Sequence, residues 1–212
     1  MKAYKFRSSS QINFAFDIII NQRLHCANWN DLNDPMEGIF SYSHGLKTDK
    51  NAIREGVNSI GESLKKFKVC SLSSTYDSHL LWAHYAGGFD GVAIEVELPD
   101  ANINIKKVET RGVFGFIDME KFTTSEEAAR TILFSKHSEW EYEKEIRIIS
   151  ENQWFKLQKP ISRVIAGQRM NKALFDVLNI VCTNLNITLN RVGIGDTGID
   201  ADYVEPFRGF GK

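Results

Sequence analysis

The chain has 212 residues, 42% of them hydrophobic, which suits one compact domain with its own core. Its 26 Lys and Arg nearly cancel its 27 Asp and Glu, which excludes a global field drawing it onto a nucleic-acid backbone or an anionic membrane. Cys26, Cys70 and Cys182 are far apart and form no Cys-x-x-Cys pair, so zinc and dithiol chemistry are unsupported and the thiols read as small buried residues in a reducing cytosol. The opening "MKAYKFRSSSQINFAF" has no apolar signal core, and no apolar run approaches the roughly twenty residues that span a bilayer. A cytoplasmic protein with no membrane contact is expected.

In chain order, "KAYKF" alternates as a first strand, and Ser10 is placed to cap a helix over "QINFAFDIII". "RLHCA" reads as a second short strand. In "NDLNDPMEG", Asp34 as N-cap, Pro35 at the first helical position and Glu37 at the third predict a helix start, which is also a rigid place to present Asn33 and Asp34 to a ligand. Over Thr48–Phe67, Ile53, Val57, Ile60 and Leu64 recur at spacings of four, three and four, predicting an amphipathic helix. "KVCSLS" is strand-like, "SHLLWAHYAGG" is a short helix ended by Gly87 or Gly88, and "GVAIEVE" is a strand.

Further along, "NINIKKV" and "GVFGFI" are weaker strands, and Thr124 with Glu127 forms a capping box before a helix over "EEAARTILFSK". "YEKEIRII" alternates as a strand, and "SRVIAG", "KALFDVLNIVCTNL" and "ITLNRVGI" give a strand, helix, strand ending. Elements mix without regular alternation. The expectation is therefore an α+β fold, a single domain over 1–212 with mixed β-sheets flanked by helices.

"WEYEKEIR" carries the sharpest chemical signal. On a strand, Glu141, Glu143, Glu145 and Arg147 share one face, and three crowded carboxylates repel unless a cation or ligand compensates, for which Arg147 supplies one charge. In a cleft, one carboxylate acts as a base while its neighbour stays ionised and stabilises positive charge; on an edge strand, the same charges only protect against aggregation. Trp82 and Tyr85 share a helical face, as core or as an aromatic wall for a planar ring. His79 and His84, five apart, are turned about 140° from each other on a helix, so no metal pair is expected. The serines lack a Gly-x-Ser-x-Gly elbow. "IAGQRMNK" is a glycine turn where backbone N–H groups can meet a phosphate, and Asp196, Asp200 and Asp202 lack the order of a calcium loop.

Together, "YKFRS", "NDPME", "VCSLSSTYDSHLLWAHYAGGFDGVAIEVE" and "FSKHSEWEYEKEIRII" resemble the bacterial domain-of-unknown-function family numbered 2971, from Tyr4 to about Gly167. The resemblance lies in Asn33-Asp34-Pro35 with Glu37, in Trp82-Ala83-His84-Tyr85 followed by Gly91, and in Trp140 with Glu143, Glu145 and Arg147. Met36 and Leu72 stand where that family commonly has an aromatic. The layout more distantly resembles the ADP-ribosyltransferase fold, with Arg7 or Tyr4 at the end of the first strand, Ser71 or Ser73 on a serine-bearing strand, and Glu143-Lys144-Glu145 as the late Glu-x-Glu. Arg7 equally reads as a surface residue after that strand.

That resemblance implies NAD as substrate and cleavage of its nicotinamide–ribose bond, with Glu145 and Glu143 catalytic and with Tyr4, Arg7, Asn33, Asp34, Ser71, Ser73, Trp82, Tyr85 and Arg147 binding the dinucleotide. No metal is implied. A small-molecule nucleotide and a macromolecular acceptor would be the partners, as for a toxin or a defence effector. The alternatives are a non-catalytic module that binds a nucleotide or protein tail, and a nuclease or phosphohydrolase holding Mg²⁺ with Asp34, Glu37, Glu143 and Glu145.

Overall fold

The computed structural model describes residues 1–45, 48–100, 102–110, 112, 115–122, 124–195 and 198–200. The helices are α1 (Ile12–Asn21), α2 (Lys50–Lys66), α3 (His79–Tyr85), α4 (Ser125–Leu133) and α5 (Lys172–Asn184), interspersed with strands in a mixed α+β arrangement. Residue contacts cluster into two compact units, one from Met1–Arg23, Leu72–Pro99 and Lys156–Lys212, the other from Leu24–Ser71 and Asp100–Phe155. Among the described residues, no helix is long and apolar enough to cross a membrane.

In the first unit, the strand Lys2–Arg7 pairs antiparallel with Val92–Glu97, from Lys2 opposite Glu97 to Arg7 opposite Val92. Val92–Glu97 pairs antiparallel with Arg163–Ala166, which runs parallel to Thr188–Arg191 across the crossover helix α5. Helix α3 packs on the first strand and α1 on the first strand and Val92–Glu97. The core there gathers Phe6, Leu81, Trp82, Ala93 and Ile165. Gly87 and Gly88 take left-handed φ values of 59° and 69°, and Gly88 N–H donates to Trp82 O at 3.1 Å, ending α3 as the sequence predicts. A Cβ on Gly91 would collide with the carbonyl of Arg7, so only glycine fits where the two backbones meet.

Two local expectations are corrected in this unit. Ser10 does not cap α1; a 3₁₀ turn over Ser9–Gln11 intervenes and the Ser10 hydroxyl pairs with that of Ser8 at 2.8 Å. The "IAGQRMNK" turn does not hold its N–H groups open for a phosphate: Gly167 N–H donates to Gly91 O and Arg169 N–H to Phe89 O, both at 2.8 Å. Asp200 ends a hairpin of Gly193–Gly195 with Gly198–Asp200, while Asp196 and Asp202 lie outside the described residues.

In the second unit, Asp49 caps α2 by accepting from Asn51 N–H and Ala52 N–H, and Thr124 caps α4 by accepting from Glu127 N–H at 3.2 Å. The two helices pack together over a core of Ile60, Leu64, Ala129, Ile132, Leu133 and Ile149. Their sequence spacing puts the helical members of this core on facing stripes, with Ile149 contributed by the strand Glu145–Ser150, and burial of roughly 1.5–3 kcal/mol per large side chain holds the pair. The strand Glu145–Ser150 pairs antiparallel with Ile105–Lys107, with Ile148 opposite Ile105.

Candidate functional site

The chemistry-bearing side chains of the second unit meet around one arginine. Arg147, with no solvent exposure, points into the unit from the Glu145–Ser150 strand. Glu145, two residues earlier, shares its face, so Arg147 Nε donates to Glu145 Oε1 at 2.7 Å and Nη2 to Glu145 Oε2 at 3.1 Å. Glu37 grips the guanidinium from the other side with both carboxylate oxygens, Nη1 reaching Oε2 at 2.8 Å and Nη2 bonding Oε1. Arg147 Nη1 also donates to Leu133 O at 2.7 Å, filling an acceptor left open at the C-terminus of α4, where the helix dipole favours a cation. All five guanidinium N–H groups are thereby used.

A second cation completes the cluster. Lys136, 6% exposed, follows α4 and bridges Glu143 Oε2 at 2.6 Å and Glu145 Oε2 at 3.2 Å, with its ammonium 4.7 Å from the centre of the Trp140 ring. Glu143, Glu145 and Glu37 are each 7% exposed or less. Three carboxylates therefore share two cations in a water-poor setting and leave one formal negative charge.

This geometry corrects the reading of "WEYEKEIR" as one strand. Ser138–Glu143 is a 3₁₀ helix, Lys144 turns the chain at φ 45°, and the strand begins only at Glu145. Glu141 is exposed, and Glu143 and Glu145 meet through Lys136 rather than through strand alternation. The predicted helix start at Asp34 is also corrected. Residues 35–38 form a turn in which buried Asp34 accepts from Met36 N–H at 2.9 Å, and the turn delivers Glu37 to Arg147. Asn33 beside it is exposed.

Burial alone would raise the Glu145 carboxyl, but the Arg147 and Lys136 charges, with hydrogen bonds from Arg147 and the Ser71 hydroxyl, outweigh it and hold the group at about 2. Glu37 moves the other way, because burial prevails over its Arg147 pair and raises it. Burial would lower the Arg147 guanidinium, yet Glu145 and Glu37 raise it above its ordinary value.

A pH dependence follows with a definite sign. A carboxyl whose folded pKa is depressed adds stability above its unfolded value and loses it as pH falls through the folded value. For Glu145 that window runs from 4.5 down to about 2 and is worth on the order of 3 kcal/mol. The gap in thermal midpoint between wild type and Glu145→Gln is expected to stay constant from about pH 7 to pH 5 and to close towards pH 2. Glu37, with its raised value, contributes the opposite way: its share is full below 4.5 and lost as pH rises through the folded value. A gap insensitive to acid would contradict the placement of Glu145.

The remaining candidates divide by unit. Ser71 belongs to the second unit with the cluster, whereas Tyr4, Arg7, Ser73, Trp82 and Tyr85 belong to the first. Tyr4 is buried, donates to Glu95 Oε2 at 3.0 Å and has its hydroxyl pushed up to about 12 by burial and by Glu95. Arg7 is half-buried and donates from Nη1 to Phe6 O, while Ser73 accepts from Thr75 N–H within a turn. Trp82 has no exposed surface: it stacks on Phe89 at 5.6 Å, meets Phe6 edge-on and donates from Nε1 to Tyr76 O, so it is core. Tyr85 is half-buried against the same core.

Sequence reasoning missed Lys136 and the pairing of Glu37. A signal existed for the lysine: three carboxylates and one arginine leave a charge deficit that a nearby cation must reduce. Arg147 and Lys136 pair with Glu37, Glu143 and Glu145, three of the carboxylates of the Mg²⁺ alternative, and among the described residues no group of three His, Cys, Asp or Glu side chains is set to hold a metal ion. Comparison with protein-family models, curated proteins and solved structures found no match to this chain.

Proposed function

We propose that this chain cleaves NAD between nicotinamide and ribose and transfers the ADP-ribosyl group to a macromolecular acceptor or to water, with Glu145 beside the sugar. The observation that carries the reading is a largely buried carboxylate held between the Arg147 guanidinium, the Lys136 ammonium and the Ser71 hydroxyl, in a cluster with one residual negative charge. As the bond from C1′ to the pyridinium nitrogen breaks, nicotinamide leaves with the electron pair and the ribose becomes oxocarbenium-like. A fixed anion favours that cation more than the ground state, because it needs no reorganisation during the reaction. The acceptor oxygen or nitrogen then bonds to C1′ and gives its proton to Glu143. The motif resemblance to ADP-ribosyltransferases supports the same roles.

The saturation of Arg147 favours a second reading, in which the cluster is an internal pin and the chain only binds its ligand. Nicotinamide release from NAD, measured over a panel of protein and nucleic-acid acceptors, separates the two. The enzyme reading expects release by wild type and a fall of about 10²-fold or more in Glu145→Gln, with Glu143→Gln selectively slowing transfer. Thermal midpoints of both variants establish that they fold. Stabilisation by NAD with no release from wild type on any acceptor would leave only the binding module.

A further inference from the structure

At the Ser150 end of the strand that begins with Glu145, the second unit holds a cavity of about 290 Å³, at the small end of the range for ligand sites. We propose that it binds a small zwitterion, an α-amino acid with an uncharged side chain. The reason is a division of hydrogen-bonding roles along its wall. Asn102 Oδ1 accepts from Asn104 N–H at 2.9 Å, and Asn104 Oδ1 accepts from Arg130 Nε at 2.9 Å. Each amide oxygen is thereby engaged once by a protein donor, and with two amide NH₂ groups and the Arg130 guanidinium this side of the lining is rich in N–H donors.

Arg130 is pre-oriented. Its guanidinium carbon lies 4.6 Å from the centre of the Phe67 ring, and Nη1 leans toward Glu126 at 3.8 Å, itself paired with Lys66. This donor pole fits a carboxylate. The acceptor side of the lining comes from the turn after Ser150, where the hydroxyl of Ser150 accepts from Asn152 N–H at 3.0 Å and the exposed Glu151 supplies a carboxylate. Between the poles, Ile105, Ile148 and Phe155 form an apolar wall.

Arg130 and Glu151 together are neutral. A simple anion gains no net field there, whereas a molecule carrying both charges is matched at each end and can lay its side chain on the apolar wall.

Calorimetric titration of the full chain with leucine and glutamine, against succinate and isopentylamine, tests this. Saturable binding of at least one amino acid is expected, with no saturation by the acid lacking an amine or the amine lacking an acid. Glu151→Gln, on the exposed rim, should weaken amino-acid binding about tenfold with an unchanged thermal midpoint, and Arg130→Gln should weaken it further. No saturable heat with either amino acid, succinate binding as tightly as they do, or an affinity indifferent to Glu151→Gln would each overturn the proposal. None of these readouts involves NAD.

Discussion

Arg147→Met is expected to lower the unfolding free energy by about 3–5 kcal/mol, the usual loss when one partner of a buried ionic network is removed. The side chain is fully buried, and its removal strands Glu37, weakens the hold on Glu145 and orphans the Leu133 carbonyl. Against a total stability of roughly 5–15 kcal/mol, this is a large fraction. Glu37 then loses the guanidinium that both its oxygens bond, so the double variant Glu37→Met with Arg147→Met should be more stable than Arg147→Met alone. Urea unfolding of the four species gives the coupling energy. A single-variant loss below about 1 kcal/mol would mean that the guanidinium is not the organising charge.

Trp82→Ala is the second large effect, with an expected loss of about 3–5 kcal/mol. Its ring is enclosed by Phe89 and Phe6, and its indole N–H satisfies Tyr76 O, so truncation opens a cavity and leaves a carbonyl unpaired. Trp82→Phe keeps much of the volume and should cost less than half as much. A ligand-stacking tryptophan behaves differently, since its truncation leaves the unfolding midpoint near wild type and acts on binding. The urea midpoints of the two variants therefore test the core assignment directly.

Much of the local structure was legible from periodicity. The four, three, four spacing of Ile53, Val57, Ile60 and Leu64 marks α2, and the Thr124 and Glu127 pattern marks the start of α4, because amphipathic stripes and caps are properties of neighbouring residues. The error over "WEYEKEIR" has a matching cause. A 3₁₀ turn followed by Lys144 at positive φ interrupts an alternation that otherwise reads as a strand, and lysine carries no local signal for that conformation.

By itself the sequence determined which residues could carry charge-based chemistry: Glu145 and Arg147 two apart on a strand, with more carboxylates than local cations. The tertiary structure decided how that charge is arranged. Glu37 lies 110 positions from Arg147, and Lys136 reaches Glu143 and Glu145 only because α4 ends and the chain turns back. Such pairings arise from packing, since a buried ion gains its counterions from whatever the fold places within hydrogen-bonding reach, and sequence separation does not enter that energy.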